Sequence, residues 1–254
     1  MKGLVHHNDI LDCAEDSTGS GTQSRISGPN ACEVKPHSKP WIVRFDCCGG
    51  TLISKNLVLT AAHCSCLWKG NTALLGDHSQ SDFDVGQRQY KIEDVMRNPP
   101  ECPECDFAIV LLAEDVQTNE YVQIANLPRA GDTCPSGKIM QSCGWGRDYY
   151  NKTRSLDKLW CVAQECVGLP ECRLTPHQEY DLCASDLDNK NNSVCKGDSG
   201  GPLTYTDESG KTTLYGVVSG AGISGQICIS PTLFGLVSHP NVLKWINDQI
   251  ALTA

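Results

Sequence analysis

No stretch of this 254-residue chain is both apolar enough and long enough to span a bilayer, so the sequence offers no membrane helix. An excess of positive charge is missing too. Lys and Arg number 21 against 30 Asp and Glu, and a formal net charge of −9 argues against nucleic acid or an anionic membrane as the principal partner. The opening segment from Met1 to Asp9 is polar and has no apolar core of the kind a secretory signal needs. No internal repeat is visible. Cys102-Pro103-Glu104-Cys105 has the gap of half a zinc knuckle, but no matching second knuckle follows it.

What the chain does have is cysteine. Sixteen in one sequence point to an oxidising compartment, and the even count permits eight disulfides with no thiol left over. The alternative, a zinc-stapled cytosolic module, is disfavoured because the other cysteines are scattered rather than paired at ligand spacing. Despite the polar opening segment, the cysteines weigh toward secretion. A hydrophobic content of 40% fits a globular protein, and the length allows one or two domains.

The stretch that carries chemistry is Cys195-Lys196-Gly197-Asp198-Ser199-Gly200-Gly201-Pro202. Glycine loses backbone entropy on folding, so three glycines around one serine need a reason. A plain turn is one. A nucleophile loop is the other, bent so that two N–H groups converge as an oxyanion hole. Two further segments favour the second. Thr60-Ala61-Ala62-His63-Cys64 follows the apolar run Leu57-Val58-Leu59, and Asp106 heads the strand-like run Phe107 to Leu112. A carboxylate at the head of a buried strand is costly unless paired, and His63 is a candidate partner.

The order His63, Asp106, Ser199 is one of the chain orders in which this triad occurs. With these motifs the chain resembles the chymotrypsin/trypsin-like family of secreted serine proteases, from Ile26 to its C-terminus. The resemblance implies that Ser199 is the nucleophile, His63 its base, Asp106 the orienting carboxylate, and the Gly197 and Ser199 N–H groups the oxyanion hole. It implies that Ser219 hydrogen-bonds the triad aspartate. It also implies a zymogen: residues 1–25 form an activation segment, cleavage falls between Arg25 and Ile26, and the new Ile26 ammonium pairs with Asp198. Ser27 and Pro29 depart from the usual Ile-Val-Gly-Gly start. A non-catalytic homologue that acts by binding is the alternative reading.

For specificity, the resemblance puts Ser193 at the base of the substrate pocket, six positions before the nucleophile. Serine there disfavours cleavage after Arg or Lys. Ala221 and Thr232 add bulk to the pocket wall, while Gly220 stands where the family usually has tryptophan. The expectation is an apolar residue before the scissile bond, with Ala, Val, Leu and Phe unranked. The implied disulfides are Cys48 with Cys64, Cys172 with Cys183, Cys195 with Cys228, and Cys32 with Cys161. Cys13 is assigned by guess to Cys134, and Cys47–Cys66 and Cys102–Cys105 by proximity to matched positions. Cys143 and Cys166 are unassigned, and Met140 and Tyr205 replace one common family bridge.

Short runs such as Trp41 to Phe45, Thr51 to Ile53, Leu57 to Leu59, Lys138 to Met140, Leu159 to Ala163 and Leu214 to Ser219, separated by turn residues, suggest an all-β barrel or sandwich. Asn241 to Ile250 has helical apolar spacing after His239-Pro240. The resemblance sharpens this to two six-stranded antiparallel barrels, about 26–128 and 129–254, with the active site between them and a C-terminal helix. Asn151-Lys152-Thr153 is a glycosylation sequon, as is Asn191-Asn192-Ser193. Gly76 to Arg88 corresponds to a calcium loop, but Arg88 near an expected acidic ligand argues against a metal. No cofactor or metal is expected. The expected partners are protein or peptide substrates, an activating protease and protein inhibitors, with the chain itself a monomer.

Overall fold

The computed structural model describes residues 11–14, 31–134, 137–147, 155–172, 178–186, 193–224 and 227–254. Among the described residues, two antiparallel barrels are built from thirteen strands. The first closes as β2 (Ile42–Arg44), β3 (Gly49–Leu52), β4 (Leu57–Thr60), β7 (Ala108–Leu112), β6 (Arg88–Arg97) and β5 (Thr72–Leu75). Its central strands are apolar on both faces because one face fills the barrel and the other meets its neighbours. In β4 every residue of Leu-Val-Leu-Thr is buried.

The second barrel contains β8 (Ile139–Gly144), β9 (Trp160–Val167), β10 (Asp181–Ser185), β13 (Ile227–Leu236), β12 (Thr212–Ser224) and β11 (Pro202–Thr206), closed by pairing of β9 with β8. A seventh strand, β1 (Ala31–Glu33), adds to β9, with Cys32 opposite Cys161. A short helix α1 (Leu169–Cys172) follows β9.

The C-terminal helix α2 (Pro240–Leu252) starts on a proline, whose fixed φ suits a first helical turn. It buries Val242, Leu243, Trp245 and Ile246. Val242, Trp245 and Ile246 join the core cluster of the first barrel, so the last element of the chain clasps the first barrel from the second. The second barrel has its own core around Met140, Val162, Leu203 and Phe234. Met140 and Tyr205, in place of a family disulfide, pack into that same cluster as apolar contacts.

The expected strands lie within one to a few residues of the observed ones. Strands β1, β5, β6, β10, β11 and β13 had no forecast. β6 reads Arg-Gln-Tyr-Lys-Ile-Glu-Asp-Val-Met-Arg, and only Tyr90 and Ile92 of it are buried, so its sequence is too polar to announce a barrel strand.

Candidate active site

The site is built where three segments meet between the barrels. The first comes off β4. Thr60 Oγ donates to the Gly49 carbonyl at 2.8 Å, which ends the strand and turns the chain into Ala61-Ala62-His63. Two disulfides, Cys48–Cys64 and Cys47–Cys66, tie the residues just past His63 to the β2–β3 turn. The histidine loop is therefore stapled, and the imidazole stands half-exposed in the cleft.

The second segment leads into β7. Phe107 is fully buried, and its ring occupies the space that a side chain on Gly235 of β13 would need, with a Cβ there falling 2.6 Å from the ring. This insertion of first-barrel ring into second-barrel strand fixes the adjacent Asp106 at the barrel junction. Cys102–Cys105 closes a tight loop immediately before it, and Asn98 N–H donates to the Phe107 carbonyl at 2.8 Å.

The third segment is the serine loop. The Gly49 N–H donates to the Ser199 carbonyl at 2.8 Å, and the Gly200 N–H donates to the Val218 carbonyl at 2.8 Å. One loop is thus bonded to β3 of the first barrel and β12 of the second. Gly200 has φ +76°, and a side chain there would collide with Thr60 Oγ1 and the Gly49 carbonyl. Only glycine permits this approach of the serine loop to the histidine segment. The Asp198 and Gly201 N–H groups are spent within the loop. Those of Gly197 and Ser199 take no backbone acceptor among the described residues.

Asp106 gathers the polar contacts. Its Oδ2 lies 2.6 Å from His63 Nδ1 and accepts the Ser219 hydroxyl at 2.6 Å, while Oδ1 accepts the His63 backbone N–H at 2.9 Å. Burial pushes the Asp106 carboxyl up, but the hydrogen bonds from His63 and Ser219 outweigh it and hold the group below the ordinary carboxylate value. The hydrogen bond to Asp106 raises His63 above the ordinary imidazole value, against the pull of burial. The imidazole's hydrogen bonds run to Asp106, and none joins it to Ser199 among the described residues.

Asp198, next to the serine, is fully buried. Its carboxylate accepts the Gly146 N–H and the Cys195 N–H, both at 2.8 Å, and no basic side chain pairs with it among the described residues. Desolvation prevails over these two bonds and pushes its pKa up to about 6. Gly144 and Gly146 form its cradle, because a Cβ on either would fall within 2.4 Å of a carboxylate oxygen. Gly144-Trp145-Gly146 was not recognised in the sequence as part of the site; its two glycines were the available signal.

At the expected pocket base, Ser193 and Thr232 are buried with their hydroxyls 3.1 Å apart. Gln164 of β9 donates to the Thr232 hydroxyl at 2.8 Å, a partner that sequence reasoning missed. Thr232 pairs across the sheet with Ala221. No atom lies within 4 Å of a Cβ placed on Gly220, so that wall of the cleft is open. Arg25, Ile26 and Asn151 lie outside the described residues.

Cys48–Cys64, Cys172–Cys183, Cys195–Cys228, Cys47–Cys66 and Cys102–Cys105 pair as expected. The bond within Cys102–Cys105 also removes the half-knuckle as a metal site. The expected Cys32–Cys161 bridge is corrected: Cys32 bonds Cys13, and Cys161 bonds Cys143. β9 lies between β1 and β8, so Cys161 faces Cys32 on one side and Cys143 on the other, and its sulfur can bond only one. Cys13 sits beside β1 through its bridge to Val34 and supplies Cys32 with another partner. The guess of Cys13 with Cys134 falls with it, since Cys134 bonds Cys166. In the loop from Gly76 to Arg88, the buried Asp77 carboxylate pairs with Arg44 of β2 and accepts from Gln87 Nε2 at 2.7 Å. Arg44 is that carboxylate's cation, although burial still pushes Asp77 above the ordinary carboxylate value.

A family model described as Trypsin matches residues 30–246. Bovine chymotrypsin-C (Bos taurus) is 32% identical over 243 residues, covering 85% of this chain and 86% of the relative. Human chymotrypsin-like elastase family member 1 (Homo sapiens) is 31% identical over 228 residues, covering 82% and 83%. The rat protein of the same name (Rattus norvegicus) is 30% identical over 229 residues, covering 82% and 80%.

Proposed function

The chain belongs to the trypsin family and is a chymotrypsin-like serine endopeptidase, and we propose that it is a secreted zymogen whose His63-Asp106-Ser199 triad cleaves peptide bonds after an apolar residue. The observation that carries this is the convergence on Asp106 of the His63 ring, the His63 backbone and Ser219, with the serine loop docked against the same barrel junction. Asp106 turns the protonated Nδ1 of His63 toward itself, which leaves Nε2 as the base facing the cleft. Ser199 gives its proton to Nε2 as its oxygen attacks the scissile carbonyl. His63 then protonates the leaving amine, and water repeats the sequence on the acyl-enzyme. The unclaimed N–H groups of Gly197 and Ser199 receive the oxyanion, each worth about 2.7–4 kcal/mol in such sites.

Beyond Val218, β12 pairs only with β13 among the described residues. Its other edge, beside Ser199, suits an extended peptide that adds as a further strand. The pocket base carries hydroxyls already bonded to each other and no carboxylate at Ser193, which favours an uncharged side chain. The Ala221–Thr232 cross-strand pair narrows the pocket. Activation follows from Asp198. Hydrolysis of Arg25–Ile26 creates an ammonium at Ile26, and a fully buried carboxylate whose partners among the described residues are two N–H groups is the group that a new cation would stabilise.

The test is labelling by a serine-directed phosphonate, read by intact mass before and after cleavage at Arg25, with Ser199→Ala as control. Labelling of Ser199 only after cleavage supports both parts of the proposal. Labelling without cleavage sinks the Ile26–Asp198 switch. No labelling of the folded, oxidised protein in either state overturns catalysis in favour of a binding homologue.

A further inference from the structure

The segment Leu11–Ala14 precedes the expected activation bond, yet it is built into the folded body. Leu11 is 1% exposed and belongs to a buried cluster with Val34, Ile42, Trp145 and Leu159. Asp12 Oδ2 lies 2.9 Å from Lys39 Nζ, and the Lys39 side chain is only 2% exposed. Burial lowers the Lys39 pKa, and Asp12 opposes that shift. Cys13 forms a β-bridge with Val34 and a disulfide with Cys32, and the Ala14 N–H donates to the Glu33 carbonyl at 2.9 Å.

From this docked segment a continuous set of contacts leads to the serine loop. Glu33 Oε1 lies 3.3 Å from His78 Nε2. The His78 carbonyl accepts the Trp145 indole N–H at 2.9 Å. Trp145 stands between the two glycines of the Asp198 cradle, and the next N–H along, Gly146, donates to the Asp198 carboxylate at 2.8 Å. Arg147 N–H donates to the Lys196 carbonyl at 2.9 Å, tying the same stretch to the serine loop a second time.

The Cys13–Cys32 disulfide would keep Leu11–Ala14 attached after the cut, and we propose that the held segment is a positioning element, which acts through the buried cluster it shares with Trp145 on Gly146 and the Asp198 carboxylate. The proposal rests on the zymogen reading above. Water added across Arg25–Ile26 leaves a carboxylate on Arg25 and an ammonium on Ile26, and the Cys13–Cys32 bond is untouched. The cut falls inside the loop which that disulfide closes. Loss of the segment would strand the Lys39 ammonium in the interior without its Asp12 counter-charge and open a cavity in the cluster that contains Trp145. Leu11 is thus a positioning residue rather than a catalytic one.

The experiment uses full-length oxidised protein cleaved at Arg25, as wild type, Leu11→Ala, Leu11→Met and the milder Leu11→Val, which serves if Leu11→Ala does not fold. Without reductant the cleaved wild type should be a single species one water heavier than the precursor, and reductant should release the fragment 1–25. Amide exchange in peptides covering Gly144–Arg147 and Cys195–Ser199 should quicken about tenfold in Leu11→Ala and stay unchanged in β7. The variant's kcat should fall about tenfold at unchanged KM, and Leu11→Met should restore it. Release of 1–25 without reductant overturns the proposal. So does exchange in Leu11→Ala that is unchanged at both peptides, or that quickens equally in β7. If the wild type hydrolyses nothing, the protease reading fails, and the exchange comparison still decides this one.

Discussion

Asp106 is partly and Asp198 fully withdrawn from water, and burial is the largest single influence on each, yet they end on opposite sides of the ordinary carboxylate value. Asp106 has its partners built in: an imidazole, a hydroxyl and a backbone N–H. Asp198 has two backbone N–H groups, and its pKa stands at about 6. Two dipoles do not replace a cation when the carboxylate is fully buried. The difference separates a permanent device from a conditional one. The first carboxylate is held in its charged form by partners already in place, whereas the second, on the proposed zymogen reading, would gain its cation by proteolysis.

The comparison breaks most severely at Asp106. Asp106→Asn keeps the shape but can stabilise the wrong imidazole tautomer, and kcat of the cleaved enzyme should fall by about 10⁴-fold. Steady-state hydrolysis of a peptide substrate checks this, with phosphonate labelling to count active sites. A drop of less than tenfold would mean that Asp106 does not orient the base.

At Asp198 the effect is on stability, and its sign follows from the raised pKa. The folded, uncleaved chain holds a proton between about pH 4 and 6 that the unfolded chain releases. Stability from this group is therefore complete at low pH and is lost as pH rises through about 6. The loss should approach about 3 kcal/mol for a shift of about two pKa units. Denaturant unfolding of the uncleaved protein at pH 4 and pH 7 measures it. The cleaved protein, with Ile26 paired to Asp198, should lack the loss. Equal pH profiles for the two forms would remove the conditional half of the comparison.

A smaller change sharpens the permanent half. Ser219→Ala deletes one hydrogen bond to the Asp106 carboxylate and should cost about 1.5 kcal/mol, near tenfold in kcat, because the acceptor is charged. It should also let the Asp106 pKa rise, visible in the carboxyl region of a ¹³C titration. The smallest effect is a displacement in pH. His63 is raised above its ordinary value of 6.5, and it works as a base only when neutral, so the acid limb of kcat/KM should lie above that value. In Ser219→Ala the limb should move slightly further up, since Asp106 loses a competitor for its charge.

Much of the site was legible from residue types in short motifs. His63 after an apolar run, Asp106 at the head of another and Ser199 among glycines each carry a local signature, because a catalytic group needs particular neighbours along the chain. The same holds for the strands whose alternation is plain, and for the C-terminal helix with its proline start. β6 was not legible, because a strand on the barrel's outer side is largely polar and follows no clean alternation. Nor was the Asp77–Arg44 pair, whose members are 33 residues apart with nothing local to join them.

The sequence by itself determined the chemistry available to this protein: a serine, a base, a carboxylate, sixteen cysteines and a barrel-forming pattern. Residue type and immediate neighbours are properties of the chain, so they can be read along it. Tertiary structure alone decided which groups meet. It set Cys161 between Cys32 and Cys143 and let only one of them bond. It carried β1 and the docked Leu11–Ala14 segment to the second barrel. It placed the His63 imidazole against Asp106 and, among the described residues, only N–H dipoles against Asp198. Distance, register and access to water settle these outcomes, and they exist only once the strands have paired.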